Sequence, residues 1–377
     1  MLSCGEASGD LYAGALVNAL RERDPDVKAF GFGGERLRAA GADLVGDYRG
    51  ISVTGLSEAL AVLPRSWRLL RQLTDAATLN RPDVFVAVDF PDFNFRLLPT
   101  MRKLGIPIVY YVSPQVWAWR PGRLDTLRQY VDKMLVIFPF EAELYQQAGV
   151  PVEFVGHPLI DLAKAGRPRD EFLPAVGLDA AHPVIALLPV SRANEVRRIL
   201  RRLLDAAVLA AARVPRVQVL IARAPSLDDA LFEPVAATRA AGLPIALVEG
   251  ATDDVLAASD LVVTASGTAT VQTALHGRPM VIVYRLSPMT YTVGRSVVRV
   301  STYGMVNLVA GRTIVPELIQ DRFTPDAVAR EAISLLTDER RVGTMKRDLA
   351  EMRARLGGPG ASQRAAASVH AVASPRK

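Results

Sequence analysis

Pro82-Asp83-Val84-Phe85-Val86-Ala87-Val88-Asp89-Phe90-Pro91-Asp92-Phe93-Asn94 is the stretch whose reading decides the fold. An unbroken apolar run between two aspartates, with no polar alternation, is how a strand buried on both faces of a parallel sheet reads. The proline after it suits the first turn of a helix. Working outward, runs of the same kind occupy residues 27–33, 107–113, 133–138 and 152–156, and then 183–189, 216–222, 244–248, 260–264 and 279–284, with helical stretches between them. Residues 161–179, rich in Lys, Arg, Pro and Gly and poor in β-branched side chains, read as the linker. The expected class is α/β, with two doubly wound Rossmann-like domains facing across a cleft: residues 1–165, then 166–345, then C-terminal helices over 346–377 returning toward the first domain. Gly357-Gly358-Pro359-Gly360 separates those helices, and Ser362 stands where it could cap the last one.

The composition limits what such a molecule can be. A chain of 377 residues, half of them hydrophobic, with 27 Gly and 25 Pro, is too long for a single small module and too apolar for a disordered or collagen-like one. Its longest run free of Asp, Glu, Lys and Arg covers residues 261–277 and is studded with Ser, Thr, Gln and His. That falls short of the roughly 20 apolar residues a membrane span needs. The first basic residue is Arg21, which does not fit a secretory signal, and a lone cysteine, Cys4, cannot close an internal disulfide. Both fit a reducing cytoplasm. A net charge of +6 suits nucleic acid, an anionic membrane surface or a phosphorylated substrate. With aromatics at 6% and no basic tract interleaved with Phe or Tyr, nucleic acid ranks last.

Ligands of open parallel sheets bind beyond the carboxyl ends of the strands. Gly5-Glu6-Ala7-Ser8-Gly9-Asp10 opens a helix with two glycines, and its amides, with Glu6 and Ser8, suit an anion or a sugar hydroxyl. It lacks the Lys-Ser/Thr of a nucleotide phosphate loop, and Gly31-Phe32-Gly33-Gly34-Glu35-Arg36 has Arg where a dinucleotide fingerprint has its third glycine, which argues against an oxidoreductase. Asp89 and Asp92 are candidate general bases; the plainer reading is that Asp92 or Asn94 caps the next helix. Ser113, Trp117, Trp119 and Arg120 offer stacking faces and a guanidinium for a sugar, acyl chain or phosphate, or else plug a domain interface. Ser191 and Arg192 precede a helix that contains Glu195, where a guanidinium and free amides together would neutralise a pyrophosphate. The arginines further along that helix read as a solvated face. Ser266, Gly267 and Thr268 form a small, hydroxylated strand-to-helix turn of the kind that cradles a diphosphate, with Gln272 one helical turn on. The histidines at 157, 182, 276 and 370 are too scattered to show metal-ligand spacing. Asp24-Pro25-Asp26 precedes its strand and reads as a turn. Leu56, Leu60, Leu63, Trp67 and Leu70 share a helical face while Arg65, Arg68 and Arg71 take another, with Pro64 dividing two short helices. That segment packs on the sheet or lies on a membrane surface.

Taken in order, these motifs resemble the lipid-A-disaccharide synthase family, inverting glycosyltransferases of the GT-B architecture. The resemblance runs from Gly5 to about Ala366 through residues 5–10, 53–55, 82–94, 111–120, 138–141, 156–158, 187–195, 265–269, 284–285 and 307–312. It implies transfer of 2,3-diacylglucosamine from UDP to the 6-hydroxyl of 2,3-diacylglucosamine 1-phosphate, with neither metal nor other cofactor. Asp89 is then the base, with Asp92 second choice, and Arg192, Ser266, Gly267, Thr268, Gln272 and Asn307 hold UDP, with Arg285 nearby. The implied setting is the cytoplasmic face of the inner membrane, peripherally bound to an anionic surface, and a homodimer is left open. The rivals are another UDP-sugar enzyme of the same build, such as an epimerase or an N-acetylglucosaminyl transferase, and a two-lobed binding protein that does no chemistry. Three departures from the family pattern stand out: Val190 where glycine is usual, Gln272 where glutamate is common, and only Met1-Leu2-Ser3-Cys4 ahead of Gly5. On that last point, either the start lies upstream of Met1 or the first strand is a stub that would expose sheet edge.

Overall fold

The computed structural model describes residues 1–49, 56–116, 122–189, 193–225, 227–286 and 302–374, with 56–63 described by backbone alone. Residues 1–160 and 356–374 form one compact unit, and 161–286 with 302–355 form another.

The first unit is built on seven strands: β1 (Leu2–Cys4), β2 (Phe30–Gly33), β3 (Asp43–Asp47), β4 (Phe85–Val88), β5 (Ile108–Tyr111), β6 (Lys133–Val136) and β7 (Val152–Phe154). They are parallel and lie in the order 3-2-1-4-5-6-7. The connecting helices are α1 (Ala7–Arg23), α2 (Glu35–Ala39), α3 (Leu56–Asn80), α4 (Pro91–Lys103), α5 (Arg123–Tyr130), α6 (Pro139–Gln147) and α7 (Leu159–Leu162). The second unit carries α8 (Arg169–Ala175), β8 (Val184–Leu188), α9 (Ala193–Ala211), β9 (Gln218–Arg223), α10 (Glu233–Ala240), β10 (Ile245–Glu249), α11 (Thr252–Ala258), β11 (Leu261–Ala265), α12 (Thr268–Leu275) and β12 (Met280–Tyr284). It continues with α13 (Met305–Ala310), β13 (Glu317–Ile319), α14 (Pro325–Thr337) and α15 (Glu339–Arg355). Its parallel sheet runs 10-9-8-11-12-13. The last helix, α16 (Ala361–Ala373), packs on α1 in the first unit. Strands without polar alternation thus became central strands covered by helices on both faces, the doubly wound arrangement.

The differences from the sequence reading have local causes. Ten strands were expected and thirteen are found among the described residues. The additional ones are the three-residue β1 and β13 and the edge strand β3, whose Asp-Leu-Val-Gly-Asp has no continuous apolar run. β1 is nevertheless central: Leu2 pairs with Gly31 on one side and Val86 on the other, and Cys4 with Val88. Its ladder begins at Met1, whose main chain bonds Val84 and Val86, so β1 presents no open edge. The expected linker is largely part of the second unit. Its residues 169–175 form α8, which buries Phe172 and Leu173, and Asp254 accepts the amides of Gly166 and Arg167. Pro64 does not divide α3, which runs unbroken through it. Among its described side chains, α3 buries Leu69, Leu70, Leu73 and Ala77, while Trp67 is 63% exposed. Asp24-Pro25-Asp26 is the turn it was read as, the Asp26 amide donating to Asp24 Oδ1.

One motif residue is consumed by the fold. Asp10 is buried, and its carboxylate accepts the amides of Gly34 (2.8 Å), Arg36 (2.9 Å) and Leu37 (3.1 Å), so a residue of α1 supplies the N-terminal cap of α2. Replacing it strands three amide donors inside the protein. Asp10→Ala is therefore expected to lower unfolding stability by about 3 kcal/mol, with Asp10→Asn intermediate, as measured by urea denaturation. Equal midpoints for wild type and Asp10→Ala would contradict this capping role.

Candidate active site

In the first sheet the chain leaves β1 toward β2 and β3, but leaves β4 toward β5, β6 and β7. Where strand order reverses, the loops at the carboxyl ends diverge and open a crevice. The Cys4–Val88 pair brings Gly5 and Asp89 together at that point. Gly5 is required there by close approach, since a Cβ on it would lie 2.1 Å from the Phe90 ring. Asp89 and Phe90 both adopt φ 47°, a left-handed conformation that side chains other than glycine rarely take. Bonds that hold this turn include the Asp89 amide to Tyr111 O (2.9 Å), and to Asp89 O from Asn94 Nδ2 and from the Tyr110 hydroxyl, both 2.8 Å. Phe90 stacks on Phe93, and both rings lie against Phe32.

Asn94 was expected to meet substrate. Here it is fully buried; Nδ2 also reaches Ser3 O, and Oδ1 accepts the Ser3 hydroxyl at 2.6 Å. Its contribution in this structure is to clip the end of β1 to the turn at Asp89. Asp92, in the first turn of α4, is exposed and ion-paired with Arg123, whose guanidinium lies 4.7 Å from the Phe95 ring centre. Glu6 and Ser8 are half-buried at the start of α1. Ser113 is buried with its hydroxyl 2.7 Å from that of Tyr145. Trp117, Trp119 and Arg120 lie outside the described residues.

Two further groups border this edge, Tyr12, which the sequence reading did not name, and His157, which it placed at a strand end without giving it a role. Tyr12, one turn after Gly9 on α1, is buried and its hydroxyl has no hydrogen-bond partner among the described residues. Burial first, then the neighbouring Tyr111 and Asp89, pushes its phenol well up, so it stays protonated. His157, after β7, stands edge-on to Tyr12 at 6.0 Å and 5.3 Å from the Phe138 ring, and its Nδ1 accepts the Leu159 amide. Burial lowers its pKa from 6.5 to about 3, so the ring is neutral at working pH. Tyr12 carries no motif that flags it, and packing brings it near Asp89, whereas His157 stands in the 156–158 segment of the family pattern.

In the second sheet the order reverses between β8 and β11. Ser266-Gly267-Thr268 leaves β11 at that point, and Gly267 and Thr268 are exposed. Gly267 has φ 153° with open space where a Cβ would be, so glycine is favoured here by conformation and not by crowding. The facing loop after β8, with Val190, Ser191 and Arg192, lies outside the described residues. Glu195 is buried in the first turn of α9 and accepts the Tyr284 hydroxyl at 3.0 Å. Gln272 Nε2 donates to Asp253 Oδ1 (2.7 Å), an oxygen that also lies 2.8 Å from His276 Nε2. Asp253 was not anticipated, because it follows a different strand. Arg285 reaches Gln320 O, and Asn307 is buried with its Oδ1 accepting the amides of Ile314 and Val315. Each unit thus gathers polar groups at its strand-order reversal: a carboxylate on a strained turn in the first, and a glycine-bearing turn at a helix start in the second.

The lipid-A-disaccharide synthetase family model matches residues 1–372. A lipid-A-disaccharide synthase from Myxococcus xanthus is 44% identical over 369 residues, covering 98% of this chain and 96% of that protein. Among solved structures, S. aureus MnaA with UDP aligns with TM-score 0.66 and 13% identity, covering 96% of this chain and 93% of that one. The calicheamicin glycosyltransferase CalG4 aligns with TM-score 0.60 and 18% identity over 98% and 96%. At such identities the structural likeness speaks to the fold, two Rossmann-like units of the GT-B kind.

His157 gives a testable pH dependence. Its folded pKa lies below the unfolded value, so the stability it contributes is complete above about pH 6.5 and is lost as the pH falls toward 3. Between pH 7 and 5 the unfolded chain takes up a proton that the folded one refuses, worth about 2 kcal/mol. Urea denaturation at those two pH values should show His157→Asn with the flatter dependence by about that amount. Parallel losses in the two proteins would contradict a buried neutral imidazole.

Proposed function

The chain belongs to the lipid-A-disaccharide synthase family and is a glycosyltransferase of lipid A biosynthesis; from that premise we propose how its two units divide the reaction. The donor is UDP-2,3-diacylglucosamine and the acceptor 2,3-diacylglucosamine 1-phosphate. The first unit handles the acceptor. Asp89 takes the proton from the acceptor 6-hydroxyl as that oxygen attacks the anomeric carbon of the donor. The bond from that carbon to the β-phosphate oxygen breaks, its electron pair leaves with UDP, and inversion gives the β-1,6-linked disaccharide 1-phosphate. Glu6, Ser8, Ser113, Trp117, Trp119 and Arg120 form the acceptor surface, and Asn94 serves it through the Asp89 turn.

The second unit handles the donor. Main-chain amides of Gly267 and Thr268, on the turn that Ser266 begins, with Ser191 and Arg192, neutralise charge that grows on the departing diphosphate. Gln272 and Arg285 both follow that turn in sequence; Glu195 and Asn307 contribute from within the fold.

The single observation that carries the assignment of the base is the left-handed turn at Asp89, since backbone strain of this kind is maintained where it aims a functional group. Asp92 is the weaker choice because Arg123 already engages it in an exposed ion pair. Asp89→Asn should abolish disaccharide formation, by a factor of about a thousand or more, while UDP binding measured by calorimetry stays within about threefold. Asp92→Asn should lose less than about tenfold. A fully active Asp89→Asn enzyme would remove Asp89 from the role.

Both lipid substrates carry acyl chains, so the enzyme works at a membrane surface, the cytoplasmic face of the inner membrane. No helix among the described residues is long and apolar enough to cross one. Trp67, exposed on α3 with Arg65, Arg68 and Arg71, supports peripheral docking by an interfacial indole and basic side chains. Reversing the charge of all three arginines should release the protein from vesicles containing anionic phospholipid; undiminished binding in a sedimentation assay would contradict this surface.

A further inference from the structure

Glu317, on the edge strand β13, is absent from every motif considered above, yet its carboxylate accepts three donors among the described residues. Its Oε2 accepts the Tyr303 amide at 2.9 Å, and its Oε1 accepts the Gly304 amide at 2.9 Å and Asn307 Nδ2 at 2.7 Å. The orientation of the Asn307 amide is fixed independently. Its Oδ1 receives the amides of Ile314 (2.8 Å) and Val315 (3.0 Å), so its NH2 is the end that must face the carboxylate.

The peptide between Tyr303 and Gly304 carries this arrangement onward. Its N–H donates to Glu317, while its carbonyl accepts the Ser266 hydroxyl at 3.0 Å. A peptide bonded at both ends is polarised by each partner, so the carboxylate strengthens the acceptor that Ser266 uses. Ser266 is also held by its own amide, which donates to Val283 O at 3.0 Å and extends the β11–β12 ladder by one rung. The residue that starts the turn at β11 is thereby fixed by main chain on one side and by the Glu317-held peptide on the other. What is left to face a ligand is the pair after it, exposed Gly267 and Thr268.

We propose that Glu317 is a positioning residue for the donor diphosphate: through the Tyr303–Gly304 peptide it fixes Ser266, and so aims the amides of Gly267 and Thr268. This rests on the reading above that the turn after β11 binds UDP. Glu317 acts through other groups and touches neither reacting atom.

The sign of the effect separates this role from simple electrostatics. Removing a negative charge from the neighbourhood of an anionic ligand would by itself tighten binding. Loss of positioning weakens it, because the glutamine amide of Glu317→Gln would present a donor to the Tyr303 or Gly304 N–H. The test is calorimetric titration of UDP into the full chain as wild type, Ser266→Ala, Glu317→Gln and the double variant, with thermal melting of each. Glu317→Gln should weaken UDP binding about tenfold, as should Ser266→Ala, and the double variant should be no more than about threefold worse than either, since both break one chain of bonds. Donor KM should rise while kcat at saturating donor stays within about threefold. If Glu317→Gln does not melt cooperatively, Glu317→Asp, which keeps the charge but withdraws the carboxylate, takes its place in the cycle with the same expectation. Unchanged or tighter UDP binding by the Glu317 variant, or losses that multiply in the double variant, would overturn the proposal. A wild-type chain that fails to bind UDP would overturn the donor-site reading and this proposal with it, whereas normal wild-type binding beside an unaffected Glu317 variant overturns the proposal alone.

Discussion

The left-handed turn at Asp89–Phe90 is the constraint around which the first unit is arranged. Two successive side-chain-bearing residues at positive φ are unfavourable, and the conformation persists because its surroundings leave no alternative. The Asp89 carbonyl is held by Asn94 and Tyr110, and the Phe90 ring fills the space that Gly5 leaves open. Asn94 in turn ties Ser3 of β1 to the same turn. Loosen any one of these and the carboxylate is free to turn away. The sequence identity of Gly5, Asn94 and Phe90 therefore follows from the shape demanded of Asp89.

The second unit meets a similar demand with different parts. Its turn after β11 relies on Gly267 for conformational freedom, and on Ser266, Tyr303, Gly304 and Glu317 for fixation. In both units a buried asparagine amide, Asn94 or Asn307, satisfies main-chain groups that would otherwise be left unpaired inside the protein. An amide suits this task better than a carboxylate or an ammonium because it donates and accepts at once without burying a charge. The same logic gives Asp10 its place, since a carboxylate can accept three amides of α2 and needs no donor.

Several errors of the sequence reading have a common origin. β1 and β13 are three residues each, too short for a propensity window, and exist because neighbouring strands extend their hydrogen bonds onto them. Residues 161–179 look like a linker by composition, but Arg169 bonds the carbonyls of Ala180, His182 and Ala258 and pins that segment to the second unit. Trp67 shares helical spacing with Leu70 but not its burial, because a spacing of three residues still leaves a wide angle between two side chains and the sheet covers only part of the helix. Tyr12, Asp253 and Glu317 carry no local signal, being a tyrosine and two carboxylates in ordinary helix and strand positions.

What the sequence determined by itself was the α/β class, most of the central strands, and the loops that carry chemistry, because apolar runs and glycine or proline punctuation are local properties of the chain. Family membership was also legible, through short motifs in a fixed order. Tertiary structure alone decided which polar residues face outward and which are closed inside. Asn94 and Asn307 sit in motif segments like Asp89, yet their amides are hydrogen-bonded within the fold, that of Asn94 to a partner 91 residues away. Hydrogen-bond partners so distant in sequence are chosen by strand order and helix packing, and no window along the chain contains that information.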